Sequence, residues 1–81
     1  MTEIDARGML CPLPVLRLRK VLMSQPVGSR VTLIATDRMA AVDVPHFCAE
    51  GGHALLSVTE ADGATRYEVM RGDPFACRAP A

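Results

Sequence analysis

The chain has 81 residues, 49% of them apolar, with nine Lys plus Arg balanced by nine Asp plus Glu. That length allows one domain burying roughly 60–65% of the surface its unfolded form exposes, and with no Trp, one Tyr and two Phe the core must be aliphatic. A net charge of zero supplies no field to draw in a nucleic-acid backbone or an anionic membrane, and no run approaches the ~18 consecutive apolar residues of a membrane span.

In chain order, Thr2 to Arg7 alternates with Ile4 and Ala6 on one side, which predicts a short first strand ending at Gly8. Pro12 to about Ser24 reads as an amphipathic helix: Val15, Leu18 and Leu22 recur at helical spacing, with Arg17 and Lys20 opposite. Gln25-Pro-Val-Gly-Ser29 is a turn. Arg30 to Thr36 follows, rich in β-branched residues, and is expected to be the most buried strand.

Asp37 is placed to cap a second helix over 39–50, where Pro45 predicts a kink or a restart near Val44. Gly51-Gly52 ends it. His53 to Ala61 and Thr65 to Arg71 alternate as strands across Asp62-Gly63-Ala64, and Asp-Gly is a hairpin signal. The order is βαβαββ. It predicts an α+β two-layer sandwich: a mixed four-stranded sheet with two helices on one face. Residues 1–72 form this domain, and 73–81 are expected to be a flexible C-terminal tail.

The N-terminus carries Glu3 and Asp5 where a signal peptide would be basic. Cysteines number three, Cys11, Cys48 and Cys77, widely spaced and without Cys-x-x-Cys. Reduced thiols in a cytoplasmic protein are the expectation.

The stretch Gly8-Met-Leu-Cys-Pro-Leu-Pro-Val-Leu16 carries the chemistry. Proline is tolerated in a first helical turn because the N–H it lacks would be unsatisfied there anyway. Pro12 at the first helical position makes Cys11 the N-cap. Sulfur is a poor cap unless it is a thiolate, and a thiolate at the positive end of the helix dipole is a nucleophile. Pro14 also lacks an N–H, so chiefly the Cys11 and Leu13 N–H groups are left to face the sulfur. The simpler reading makes Cys11 a small apolar residue before a helix; the full Cys-Pro-x-Pro is more specific than that.

Asp5 to Lys20, "DARGMLCPLPVLRLRK", and Ala35 to Leu56, "ATDRMAAVDVPHFCAEGGHALL", resemble the TusA-like, or SirA-like, sulfur carrier proteins over about residues 3–71. The resemblance implies the same βαβαββ sandwich and a persulfide-carrying cysteine at Cys11, with Pro12 and Pro14 supporting it. Many members place Arg directly before the cysteine. Here Leu10 stands there, so a positive charge must come from Arg7 or a partner. Members serving tRNA thiolation often carry an acidic residue between the prolines where this chain has Leu13, so that pathway is not the default.

Cys48, apolar and helical, is expected in the core. His46, Cys48 and His53 lack a second half for a metal site, and no metal is expected. Cys77 is expected to be an exposed thiol. Arg17, Arg19, Lys20, Arg30 and Arg38 form either a solvated rim or, with Asp37 and Asp43, partner contacts; Arg17, Lys20, Asp37 and Asp43 are the candidates.

The leading expectation is a sulfurtransferase-type carrier with no cofactor beyond a transient persulfide on Cys11. The resemblance names a cysteine desulfurase or rhodanese-like protein as donor. Acceptors would belong to thiolation, molybdenum-cofactor or sulfur-oxidation machinery. Alternatives are a thiol-redox or regulatory protein pairing Cys11 with Cys48 or a partner, and, against the charge balance, a nucleic-acid-binding module.

Overall fold

A computed structural model describes residues 2–10 and 12–72. The elements are β1 (Thr2–Ala6), α1 (Leu13–Met23), β2 (Arg30–Ala35), α2 (Ala40–Gly51), β3 (Ala54–Ala61) and β4 (Ala64–Met70). This is the predicted βαβαββ order. The strands form one mixed sheet in the order β1-β2-β4-β3. β1 pairs parallel with β2, while β4 pairs antiparallel with both β2 and β3.

Both helices therefore connect strands that run in the same direction. Two right-handed crossovers that step the same way across the sheet place both helices on one face, and it makes the starts of α1 and α2 share the end of the molecule where β1 and β2 finish. The β3–β4 turn reaches that end as well.

The core lies between sheet and helices. Ile4 and Ala6 from β1, Val31, Leu33 and Ala35 from β2, and Tyr67 and Val69 from β4 meet Leu18 and Leu22 of α1 and Ala40, Val44 and Cys48 of α2. β2 is buried from Val31 to Ala35, as expected of a central strand. Its Thr32 and Ile34 face away from the helices yet are only 8% exposed. Long charged side chains cross that outer face, pairing Arg66 with Glu3 at 3.0 Å and Arg30 with Glu68 at 3.6 Å.

Three local expectations are corrected. α2 runs as one continuous helix through Pro45 with no restart near Val44; Pro45 is exposed, so its ring and missing hydrogen bond are turned to water. The β3–β4 turn has two residues rather than three. Asp62 (φ 54°) and Gly63 (φ 76°) are both left-handed, the conformation whose twist suits a two-residue hairpin, and Ala64 already pairs with Ala61. Entry into α2 also differs: Met39 is the N-cap, and Asp37 Oδ1 accepts its N–H at 3.2 Å. Residues 73–81, expected as a tail, fall outside the described residues.

Candidate functional site

The segment between β1 and α1 is fastened before it reaches the helix. Gly8, left-handed at φ 81°, donates its N–H to Thr36 Oγ1 at 2.9 Å, tying the loop to the end of β2. Met9 N–H returns to the Ala6 carbonyl at 3.1 Å, and Leu13 N–H bonds to the Leu10 carbonyl at 2.9 Å. Cys11 itself lies outside the described residues. Its chain neighbours Leu10 and Pro12 are exposed, Leu10 by 70%.

The helix starts one residue later than its sequence predicts. Leu13 is the first helical residue, and Pro12 (φ −97°) is the N-cap rather than the first helical position, with its carbonyl accepting from Leu16 N–H at 3.0 Å. The Leu10–Leu13 turn causes this shift, and it also uses the Leu13 N–H that was expected to face the sulfur. Pro14, in the first turn, supplies none. It is instead fully buried, locking the start of α1 onto the core.

Arg7 does not supply an uncommitted charge. Its guanidinium makes two hydrogen bonds to the Asp5 carboxylate, at 2.9 and 2.8 Å, and its backbone N–H a third. Those bonds hold the Asp5 carboxyl at about 2 and raise the Arg7 guanidinium in turn.

Two grooves flank the start of α1. One, of about 350 Å³, is lined by Met9, Leu13, Leu16, Arg17 and Lys20. The other, of about 250 Å³, runs between the helices and is lined by Pro12, Val15, Asp43, His46, Phe47 and Glu50. Arg17 and Lys20 thus share one surface and Asp43 lies beside Pro12. Asp37 belongs to a third, larger cleft of about 590 Å³ between the start of α2 and the β3–β4 turn, with Arg38, Glu60, Asp62 and Tyr67. Arg30 is not part of any rim at this end; it begins β2 at the opposite end.

Sequence periodicity did not single out the exposed leucines. Leu13 and Leu16 are 54% and 51% exposed, beside the cations of α1. The available signal was their position off the Leu18–Leu22 stripe. His46 and Glu50, an i,i+4 pair at 3.1 Å, were also missed. Cys48 is buried as expected, and burial pushes its thiol up. The three residues weighed for a metal have separate roles. His46 pairs with Glu50, Cys48 packs in the core, and His53 Nδ1 accepts the Gly72 N–H at 3.0 Å while its ring lies 5.3 Å from that of Phe47. Among the described residues no helix is long and apolar enough to cross a membrane.

A mixed sheet roofed by two helices, with Cys-Pro-x-Pro leading into the first, defines a small α+β sandwich built to present the start of α1. The family described as sulfurtransferase TusA matches residues 2–71, and the chain belongs to that family. It is 43% identical over 60 residues to a Neisseria meningitidis serogroup A protein, covering 74% of this chain and 81% of the relative. To the sulfur carrier protein TusA of Pseudomonas syringae pv. syringae it is 35% identical over 69 residues, covering 85% and 82%. The crystal structure of a SirA-like protein from Desulfitobacterium hafniense superposes with a TM-score of 0.80 at 27% identity, covering 90% of this chain and all of that one.

Proposed function

We propose that the chain is a sulfur carrier. Cys11, as thiolate, attacks the terminal sulfur of a donor's persulfide; a new S–S bond forms to Cys11, the donor's S–S bond breaks, and the donor cysteine leaves as thiolate. Cys11 then holds a persulfide, and an acceptor thiol takes its terminal sulfur by the same step. Electrons and atoms balance without any further reductant. The observation that carries this reading is the Cys-Pro-x-Pro sequence, set in a matching TusA family domain where β1 gives way to α1.

The surroundings support partner contact. Exposed Leu10, Leu13 and Leu16 supply apolar area, and Arg17 and Lys20 supply a charge that would orient an acidic partner. Asp43 flanks Pro12 on the other side and Asp37 stands further off in its own cleft. Donors of the cysteine desulfurase or rhodanese-like class fit this chemistry, as do acceptor proteins of a downstream sulfur pathway in a cytoplasmic setting.

A redox role pairing Cys11 with Cys48 draws no support from a Cys48 that is 2% exposed with its thiol pushed up. Direct nucleic-acid binding fares no better: Arg7, Arg30 and Arg66 each meet a carboxylate.

The test is to incubate reduced protein with a desulfurase and cysteine and measure intact and peptide masses. One added sulfur on the Cys11 peptide, lost in Cys11→Ser and kept in Cys48→Ser, supports the proposal. An unmodified Cys11 peptide with several competent donors overturns it.

A further inference from the structure

β1 and β2 run side by side as far as Ala6 opposite Ala35, where their parallel ladder ends. The Gly8 N–H lies past that last rung, at the point where the chain turns through a left-handed φ of 81°. Thr36, the residue directly after β2, accepts it with a side chain instead of a carbonyl, Oγ1 at 2.9 Å. The bond joins positions 28 apart in the chain. The other hydrogen bonds described in this loop, Met9 N–H to the Ala6 carbonyl and Leu13 N–H to the Leu10 carbonyl, each close a turn of their own. Those bonds set the local shape of the loop. The bond to Thr36 sets where the loop stands against the sheet.

Gly8 and Thr36 are both exposed, so water replaces either partner if the bond is lost and no polar group is stranded. Its value to the fold is therefore small. Its value to position is larger, because a β-branched side chain has few χ1 rotamers and holds its hydroxyl at a set point.

The residue that this anchor places next is Met9. It is half-buried, packs against the core and lines the groove of about 350 Å³ together with Leu13, Leu16, Arg17 and Lys20. Those four all belong to α1, whereas Met9 comes from the loop. The shape of the groove therefore depends on where the loop stands.

We infer that Thr36 is a positioning residue for this groove: its hydroxyl, acting through Gly8, fixes Met9 as the wall that α1 does not supply, and so keeps the groove shaped for an incoming donor protein. That a sulfur donor uses the groove rests on the carrier reading above. That Thr36 shapes it rests on the hydrogen bond alone.

The test compares Thr36→Val, which keeps the side-chain shape and removes the acceptor, with Thr36→Ser, which restores it. Three readouts are taken on the full chain: hydrogen exchange of the Gly8 amide, the NMR signal of the Met9 methyl group, and sulfur loading of Cys11 from a desulfurase and cysteine at varied desulfurase concentration. In Thr36→Val the Gly8 amide should exchange about three- to tenfold faster, as expected for the loss of one hydrogen bond. The Met9 signal should shift, while the urea midpoint and the signals of buried Leu22 stay put. Half-maximal loading should need about three- to tenfold more desulfurase at an unchanged maximal rate. Thr36→Ser should return all three toward wild type. An unmoved Met9 signal in Thr36→Val, or a shift that Thr36→Ser does not reverse, overturns the inference. So does an unchanged half-maximal concentration in a variant whose Met9 has moved, or a loss of loading matched by a lower urea midpoint. A wild type that takes up no sulfur defeats the carrier reading instead, and the Gly8 and Met9 signals still decide the role of Thr36.

Discussion

Gly72 and His53 hold the end of β4 against the end of α2, and each makes a measurable prediction. A Cβ at position 72 would strike the backbone of Gly52, which cannot swing aside as a side chain would. Gly72→Ala should therefore destabilise the domain by about 1–3 kcal/mol, read as a lower urea midpoint at unchanged slope. His53 sits below its ordinary 6.5 because burial disfavours the imidazolium and Arg71 repels it. The unfolded chain then binds the proton more readily than the folded one, so stability rises with pH. That stability is complete above about 6.5 and declines as pH falls through the lowered value. Thermal melts should show it, and His53→Gln should flatten the acid-side slope. At this scale the sequence was informative where a residue type has one use. Cys48 on an apolar helix face is buried, and Asp62-Gly63 makes the turn. It offered Arg7 as a charge for Cys11 and did not show that Asp5, two residues before it, holds that guanidinium instead.

α1 combines two surfaces. Pro14, Leu18 and Leu22 are buried, while Leu13 and Leu16 face water beside Arg17 and Lys20. Leu18→Ala removes a fully buried side chain and should cost about 2–5 kcal/mol. Leu13→Gln with Leu16→Gln should change stability by no more than ~0.5 kcal/mol each, yet slow sulfur loading from a donor roughly tenfold if the pair contributes ~1.4 kcal/mol to the encounter. Equal loading rates at equal donor concentration would remove these leucines from the partner surface. Helical periodicity identified the buried stripe because burial repeats every three or four residues. It could not identify the outward leucines, since an apolar residue off the stripe has no periodic signature. The one-residue shift at Pro12 has a similar origin: the Leu10–Leu13 turn that sets it is a backbone bond, and proline is compatible with either position.

For the molecule as a whole, alternation and element order were enough for a mixed sheet with both helices on one face. The strand order β1-β2-β4-β3 was not legible, because it depends on which edge the final hairpin joins. That insertion of β4 beside β2 brings the β3–β4 turn to the end where both helices start, and so creates the cleft holding Asp37 and Arg38 away from Asp43. Two aspartates that looked equivalent in sequence therefore sit on different surfaces. Around them, the whole domain holds the start of α1 by Gly8 to Thr36, by the Leu10–Leu13 turn and by buried Pro14. On the proposed reading, this support holds the start of α1 for sulfur exchange at Cys11. The direct measurement is transfer of radiolabelled sulfur from cysteine, through a desulfurase, onto the protein, followed on non-reducing gels. Reductant-labile label on wild type and Cys48→Ser but absent from Cys11→Ser is the predicted result. Label that persists in Cys11→Ser, or that never appears on wild type, would contradict it.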